Sequence, residues 1–157
     1  MRILGLDPGL TYTGWAVISV GRHLGVQWAC EALGRIHTKP QQDLGERLAV
    51  LHQKILEVCT QWQPTVAAIE QIFVNSNPAS ALKLGLARGV VFMTPAHYGI
   101  SVKEYSANTV KKCITGNGHA NKEQVLQMIQ YLFKITPEQY DSSDALAVAA
   151  CHHLHVR

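Results

Sequence analysis

Residues 66–69, Val-Ala-Ala-Ile, are apolar at four successive positions, and the run then delivers Glu70. A strand that alternates hides one face. A strand that is apolar throughout is covered on both. This segment, read as a strand over 65–71, therefore demands a sheet with helices on each side. Its glutamate also needs compensation, because a carboxylate at the end of a buried strand costs several kcal/mol unless paired.

The rest of the chain supplies those layers. Residues 2–7, 13–20 and about 26–37 read as three strands; Pro8-Gly9 turns after the first, and Gly21 to Gly25 form a hairpin connection. Short connections make these strands antiparallel neighbours. Leu44, Leu48, Leu51, Ile55, Val58 and Trp62 recur at helical spacing, so a helix capped by Asp43 runs to about Gln63 and Pro64 stops it. Ser76-Asn77-Pro78 opens a helix expected to reach about Met93, with Pro95 ending or kinking it. A fifth strand covers 100–105 and a short helix 107–113. Asn121 caps another helix, and the last begins near Asp141. The fold class is α/β, a mixed five-stranded sheet (three antiparallel strands plus two parallel) flanked by helices. At 157 residues, with neither repeats nor a linker-like stretch, the chain reads as a single domain over 1–157.

Composition excludes several classes. Hydrophobic residues make up 47% and charged residues 16%, which rules out a disordered polymer. No apolar stretch approaches the ~20 residues of a membrane span. Residues 1–20 lack the basic start, apolar core and small-residue cleavage site of a signal peptide. Cys30, Cys59, Cys113 and Cys151 form no C-x-x-C pair, so they read as reduced thiols of a cytoplasmic protein. The net charge is only +3, but residues 71–137 hold seven basic and two acidic side chains, a net +5. That polarity suits a polyanion gripped at one surface and cut at another, or else scattered solvated charge.

The acids carry the chemistry. Asp7 ends the apolar run Ile3-Leu4-Gly5-Leu6, Glu70 ends the buried strand, and Asp141 and Asp144 open Ala145-Leu146-Ala147-Val148-Ala149-Ala150. Each has an ordinary alternative. Asp7 can shape a turn, Asp141 and Asp144 can cap a helix, and Glu70 can pair with a buried cation. Taken together these weaken, since a sheet that sets the first strand beside 65–71 brings the carboxylates within a few ångström. Like charges that close need a cation between them. Hard oxygen donors without a Cys/His cluster select Mg²⁺ or Mn²⁺ over zinc, and two such ions about 4 Å apart suit phosphoryl transfer.

Other side chains qualify around that centre. Phe73, just after Glu70, can stack on a displaced base or fill the core. Lys111, Lys112 and Lys122, with His119 in the loop Thr115-Gly-Asn-Gly-His-Ala120, can contact phosphates or be solvated. Gly85 and Gly89 share a helix face with Leu82, Leu86 and Met93, either packed on the sheet or facing a second subunit. The stretch Cys151-His152-His153-Leu154-His155 lacks a second ligand pair for zinc and reads as a helix end at the surface.

Four segments fall in one order across nearly the whole chain: Ile3-Leu-Gly-Leu-Asp-Pro-Gly9 with Gly14, Ala68-Ile-Glu-Gln-Ile-Phe73, Ser80-Ala-Leu-Lys-Leu-Gly-Leu-Ala-Arg-Gly89 and Asp141-Ser-Ser-Asp-Ala-Leu-Ala147. Together they resemble the RuvC family of bacterial Holliday junction resolvases, crossover junction endodeoxyribonucleases of the ribonuclease H-like superfamily. The resemblance implies a homodimer that makes symmetric paired nicks in four-way DNA junctions during recombination and repair, leaving 5′-phosphate and 3′-hydroxyl ends. It implies that Asp7, Glu70, Asp141 and Asp144 are the catalytic acids, holding two Mg²⁺ for which Mn²⁺ substitutes. By the same resemblance Phe73 is the base-stacking aromatic, Lys111 and Lys122 contact DNA, and the helix with Gly85 and Gly89 is the dimer helix. The implied partners are junction DNA and the branch-migration helicase complex of RuvA and RuvB. Some members carry His where this chain has Asp141.

Three other readings compete. A sugar-kinase or chaperone-type ATPase also opens on an Asp-x-Gly turn, but needs a second lobe that 157 residues cannot supply. A non-catalytic junction-binding module would not need the intact acids. A nuclease for another substrate, such as RNA–DNA hybrid, would be separated by cleavage assays on hybrids, flaps and linear duplex.

Overall fold

A computed structural model describes residues 1–21, 28–72, 77–134 and 140–156, excluding the side chains of Tyr140 and Asp141. The strands are β1 (Arg2–Asp7), β2 (Tyr12–Ser19), β3 (Ala29–His37), β4 (Val66–Glu70) and β5 (Ser101–Tyr105). The helices are α1 (Leu44–Trp62), α2 (Pro78–His97), α3 (Ala107–Thr115), α4 (Lys122–Phe133) and α5 (Tyr140–His155). One mixed sheet has the order β3-β2-β1-β4-β5. The β1–β2 and β2–β3 pairs are antiparallel, and the β1–β4 and β4–β5 pairs are parallel. The Gly21–Gly25 hairpin expectation and Phe73 fall largely or wholly outside the described residues.

The apolar run in β4 is explained by what covers it. Val66, Ala67, Ala68 and Ile69 are all buried. One face, with Ala67 and Ile69, packs with Leu51, Ile55 and Val58 of α1 and with Ala87 and Val91 of α2. The other, with Val66 and Ala68, packs under α5 and the inner sides of α3 and α4. α5 is buried almost all round: Ala145 through Cys151 are at most 1% exposed. Its alanines allow the helix to lie directly on the sheet. A Cβ at Gly5 of β1 would stand 1.9 Å from the Ala145 carbonyl oxygen, so only glycine permits this contact.

Four local expectations change. α2 continues through Pro95 to His97. Pro95 removes one backbone donor, but the neighbouring bonds persist: the Thr94 hydroxyl donates to the Val90 carbonyl at 2.8 Å, and the Tyr98 N–H donates to Thr94 O at 3.2 Å. Asp43 occupies the cap position of α1 without a side-chain cap bond; its carbonyl accepts the Arg47 N–H. α3 extends to Thr115, closed by Gly116 at φ 77°, where glycine has no steric cost. Finally, Cys151, His152 and His153 are buried rather than at the surface. His152 Nδ1 lies 2.7 Å from the Tyr105 hydroxyl, and His153 meets the Trp28 ring edge-on, so these side chains lock α5 against the sheet. Burial pushes the His152 imidazole below its ordinary pKa, with Lys103 adding to the shift, so the ring that hydrogen-bonds the Tyr105 hydroxyl favours its neutral form.

Candidate active site

Strand register sets the first two acids side by side. Leu6 pairs with Ile69 across the parallel β1–β4 ladder, so Asp7 and Glu70 end adjacent strands. Side chains alternate along a strand, so Asp7 shares a face with Gly5 and Glu70 with Ala68, the face that α5 covers. α5 then brings Asp144 over the strand ends. Asp7, Glu70 and Asp144 line one cleft of about 410 Å³, with Lys111 of α3, Lys122 at the start of α4, and an apolar wall of Ala107, Val110, Val125 and Ala147. Asp141 lies three residues before Asp144 on the same helix, one turn away.

The loop after Asp7 is held by short polar contacts. A Cβ at Gly9 would fall 2.1 Å from the Tyr12 carbonyl oxygen, so the turn requires glycine. The Thr13 hydroxyl donates to Gly9 O at 2.6 Å and accepts from Gly9 N–H at 3.3 Å. Thr38 donates to Leu10 O at 2.5 Å. Arg47 reaches up from the core side of α1, donating through Nε to Thr38 Oγ1 and through Nη2 to Thr11 Oγ1, each at 3.0 Å. Arg47 is buried, an unusual place for a guanidinium. The sequence reading missed it. Its signal was a charge at a core-facing position of α1, three residues after Leu44 and one before Leu48.

Burial dominates the electrostatics of the cleft. Burial raises the Glu70 carboxyl above its ordinary pKa; Asp144 adds to the rise, while Lys111 and Lys122 oppose it. Lys122 Nζ stands 3.1 Å from Asp144 Oδ2, a half-screened ion pair at the cleft mouth. Among the described residues, no three Asp, Glu, His or Cys side chains are drawn tightly around one point. The donor chemistry nonetheless fits a hard divalent ion: carboxylate oxygens on a common cleft, with no thiol or imidazole among its lining.

The raised Glu70 pKa has a measurable consequence. Because the folded carboxyl holds its proton more tightly than the unfolded one, the native state binds more protons between the two pKa values. Stability therefore falls as pH rises through that interval, and the full penalty applies above it. Glu70→Gln is expected to melt higher than wild type at pH 7.5 in EDTA, with the gain vanishing near pH 3.5. Melting curves at the two pH values check this; an equal gain at both would show that charge is not the cause.

The other predicted residues divide. Lys112 and His119 line a separate surface pocket with Asn108, Thr109 and Gly118, so they do not enter the acid cleft. On α2, Leu82, Leu86 and Met93 are exposed, and a Cβ at Gly85 or Gly89 would meet nothing within 4 Å. The face therefore does not pack on its own sheet; Ala87, Val91 and Thr94 do that from the opposite side of the helix.

Comparison with known proteins identifies the family and the fold. The family described as "Crossover junction endodeoxyribonuclease RuvC" matches residues 3–152. The protein of that name from Xanthobacter autotrophicus is 53% identical over 156 residues, covering 99% of this chain and 90% of its relative. The one from Ruegeria pomeroyi is 49% identical over 153 residues, covering 97% and 90%. Among solved structures, Thermus thermophilus RuvC superposes with a TM-score of 0.90 at 31% identity, covering 100% of this chain and 96% of that one. T. thermophilus RuvC in complex with Holliday junction substrate gives 0.92 at the same identity, with 100% and 95% covered. The five-stranded mixed sheet with its flanking helices is the ribonuclease H-like fold of these resolvases. With a family match across nearly its whole length and close relatives of the same description, this chain belongs to the RuvC family of crossover junction endodeoxyribonucleases.

Proposed function

We propose that this chain is a divalent-metal-dependent endonuclease that resolves four-way DNA junctions in the cytoplasm, nicking two opposing strands to leave 5′-phosphate and 3′-hydroxyl ends. The observation that carries the reading is the convergence of Asp7, Glu70 and Asp144 with two lysines in one cleft. Asp7, Glu70, Asp141 and Asp144 would hold Mg²⁺, or Mn²⁺ in its place. When bound, the metal supplies positive charge to the scissile phosphate and acidifies the attacking water.

The chain's own groups do the rest. Lys111 and Lys122 neutralise phosphate oxygens entering the cleft, and they temper the repulsion among the acids before DNA arrives. The apolar wall of Val110, Val125 and Ala147 limits water around the carboxylates and so strengthens each electrostatic contact. The turn held by Thr38 and Arg47 fixes the backbone beyond Asp7, so the carboxylate does not drift from its strand end. Phe73, three residues past the end of β4, is the candidate to stack on an unpaired base at the junction centre. Lys112 and His119 would contact the backbone further out.

A four-way junction has two-fold symmetry, so two copies of one active site suit it. The stripe Leu82, Gly85, Leu86, Gly89 and Met93 is the proposed contact between copies. Gly85 and Gly89 each cost a helix about 1 kcal/mol relative to alanine, and close helix approach would offset that. Leu86→Glu is expected to shift the protein from dimer to monomer in sedimentation velocity; an unchanged dimer would move the interface elsewhere. A branch-migration complex of the RuvA and RuvB type would deliver the junction.

The deciding experiment is cleavage of a synthetic four-way junction with and without Mg²⁺, beside linear duplex, flap and RNA–DNA hybrid. Symmetric, ligatable nicks confined to the junction are expected; preference for hybrid would overturn the reading. Lys111→Ala is expected to weaken junction binding and reduce the slope of log affinity against log salt by about one. An unchanged slope would remove Lys111 from phosphate contact.

A further inference from the structure

A second cationic feature lies on the face of the sheet that carries Asp7, outside the acid cleft. Asp7 pairs with Gly14 across β1–β2, and Gly14 pairs with Arg35 across β2–β3. Residues paired across ladders point to the same side, so Arg35 stands on the Asp7 face, two strands away. Strand spacing sets the separation at about 10 Å. The residue between them is glycine, so no side chain rises from the sheet along that line. Arg35 does not stand alone. Its guanidinium carbon sits 4.2 Å from the centre of the Tyr12 ring, and Tyr12 stacks on His37 with centroids 4.9 Å apart and planes 20° from parallel. Tyr12 and His37 are themselves paired across β2–β3, and all three side chains are exposed.

We propose that Arg35, held against Tyr12 and His37, is a second phosphate-binding point that grips the DNA strand about one or two phosphates from the scissile bond. The distance is on the scale of neighbouring phosphates of one strand, whose through-space spacing exceeds their axial advance of about 3.4 Å. Arginine also suits the role, because its planar donors match a phosphate, and stacking on an aromatic face fixes the fork before DNA arrives and lowers the ordering cost of binding. Lys111 and Lys122 approach the acids from α3 and α4, whereas Arg35 approaches from the β3 edge. The strand would thus be held on both sides of the cut, which aligns the scissile phosphate with the acids instead of merely attracting DNA. A purely structural role is the competing account: a cation on an edge strand discourages strand addition, and a cross-strand aromatic pair stabilises a sheet.

This inference rests on the nuclease reading above, and salt dependence separates the two. The full-length protein, its Arg35→Gln variant and its Arg35→Lys variant are titrated onto a fluorescent four-way junction in Ca²⁺ at several salt concentrations. Arg35→Gln is expected to bind about tenfold more weakly at 100 mM salt, with a slope of log affinity against log salt smaller by about one. Arg35→Lys is expected to keep the slope while losing part of the affinity, since the charge remains and the fork does not. An unchanged slope in Arg35→Gln, or the same loss of slope in Arg35→Lys, would overturn the proposal, because a packing role ignores charge. Failure of the wild-type protein to bind the junction would overturn the functional reading itself, and this inference with it.

Discussion

Asp7→Asn is expected to reduce junction cleavage by about a thousandfold or more while leaving junction binding intact. The side chain stays nearly isosteric, so the turn at Gly9 and the β1 register should persist. What disappears is one full negative charge at the strand end that adjoins Glu70. If that charge helps hold a divalent ion, its loss removes several kcal/mol from transition-state stabilisation, and about 4 kcal/mol is a thousandfold in rate. Binding should not suffer, because DNA is an anion and the variant cleft is less negative. Single-turnover cleavage with enzyme in excess, alongside gel-shift binding in Ca²⁺, measures both. Turnover within tenfold of wild type would remove Asp7 from the metal-binding set. Loss of binding in parallel with cleavage would instead indicate misfolding, which a melting curve would expose.

The second large effect concerns the fold itself. Gly5→Ala is expected to destabilise the protein by about 3 kcal/mol or more, at the upper end of what overpacking costs. The added methyl would meet the Ala145 carbonyl oxygen at 1.9 Å and the Ala149 Cβ at 2.9 Å. The first is backbone within a helix and has no rotamer to escape into. Relief requires α5 to lift from β1, and α5 carries Asp141 and Asp144, so activity should fall with stability. Gly45→Ala is the matched control. It lies in the first turn of α1 with nothing within 4 Å of the new Cβ, and alanine is the better helix former. That variant should be neutral or slightly more stable. Urea unfolding of both checks the contrast; equal midpoints would mean that α5 tolerates displacement.

The sequence revealed those parts of the site whose signals are local. Asp7 and Glu70 each follow an apolar run, so their placement at strand ends could be read without knowing what the strands pair with. Asp144 stood near the start of the last helix, at the head of an alanine-rich apolar segment. Choices that depend on rotation or register were not legible. Lys111 and Lys112 are adjacent, and successive helix residues point about 100° apart; only one enters the cleft, and the chain alone does not say which. The Tyr12–Arg35–His37 stack requires the β2–β3 register, a property of two segments separated by a connection. Arg47 was hidden for a different reason. A charge within an apolar helical pattern is ordinarily solvated, and the Thr11 and Thr38 hydroxyls, just before β2 and just after β3, make its burial tolerable.

The order of the elements bears on when the enzyme becomes dangerous to its own host. The β1–β2–β3 meander uses neighbouring segments and can form early, because short loops close cheaply. Asp7 would then be in place while the ribosome was still adding later residues. Glu70 arrives with β4, but Asp144 rides on α5, which docks across β1 and β4 after every strand has been synthesised. A nascent or partly folded chain thus presents the lysines and two of the acids without the helix that closes the cleft. If Asp144 helps hold the metal, DNA cutting is tied to completion of the fold, and a chain lacking docked α5 is expected to bind nucleic acid without breaking it.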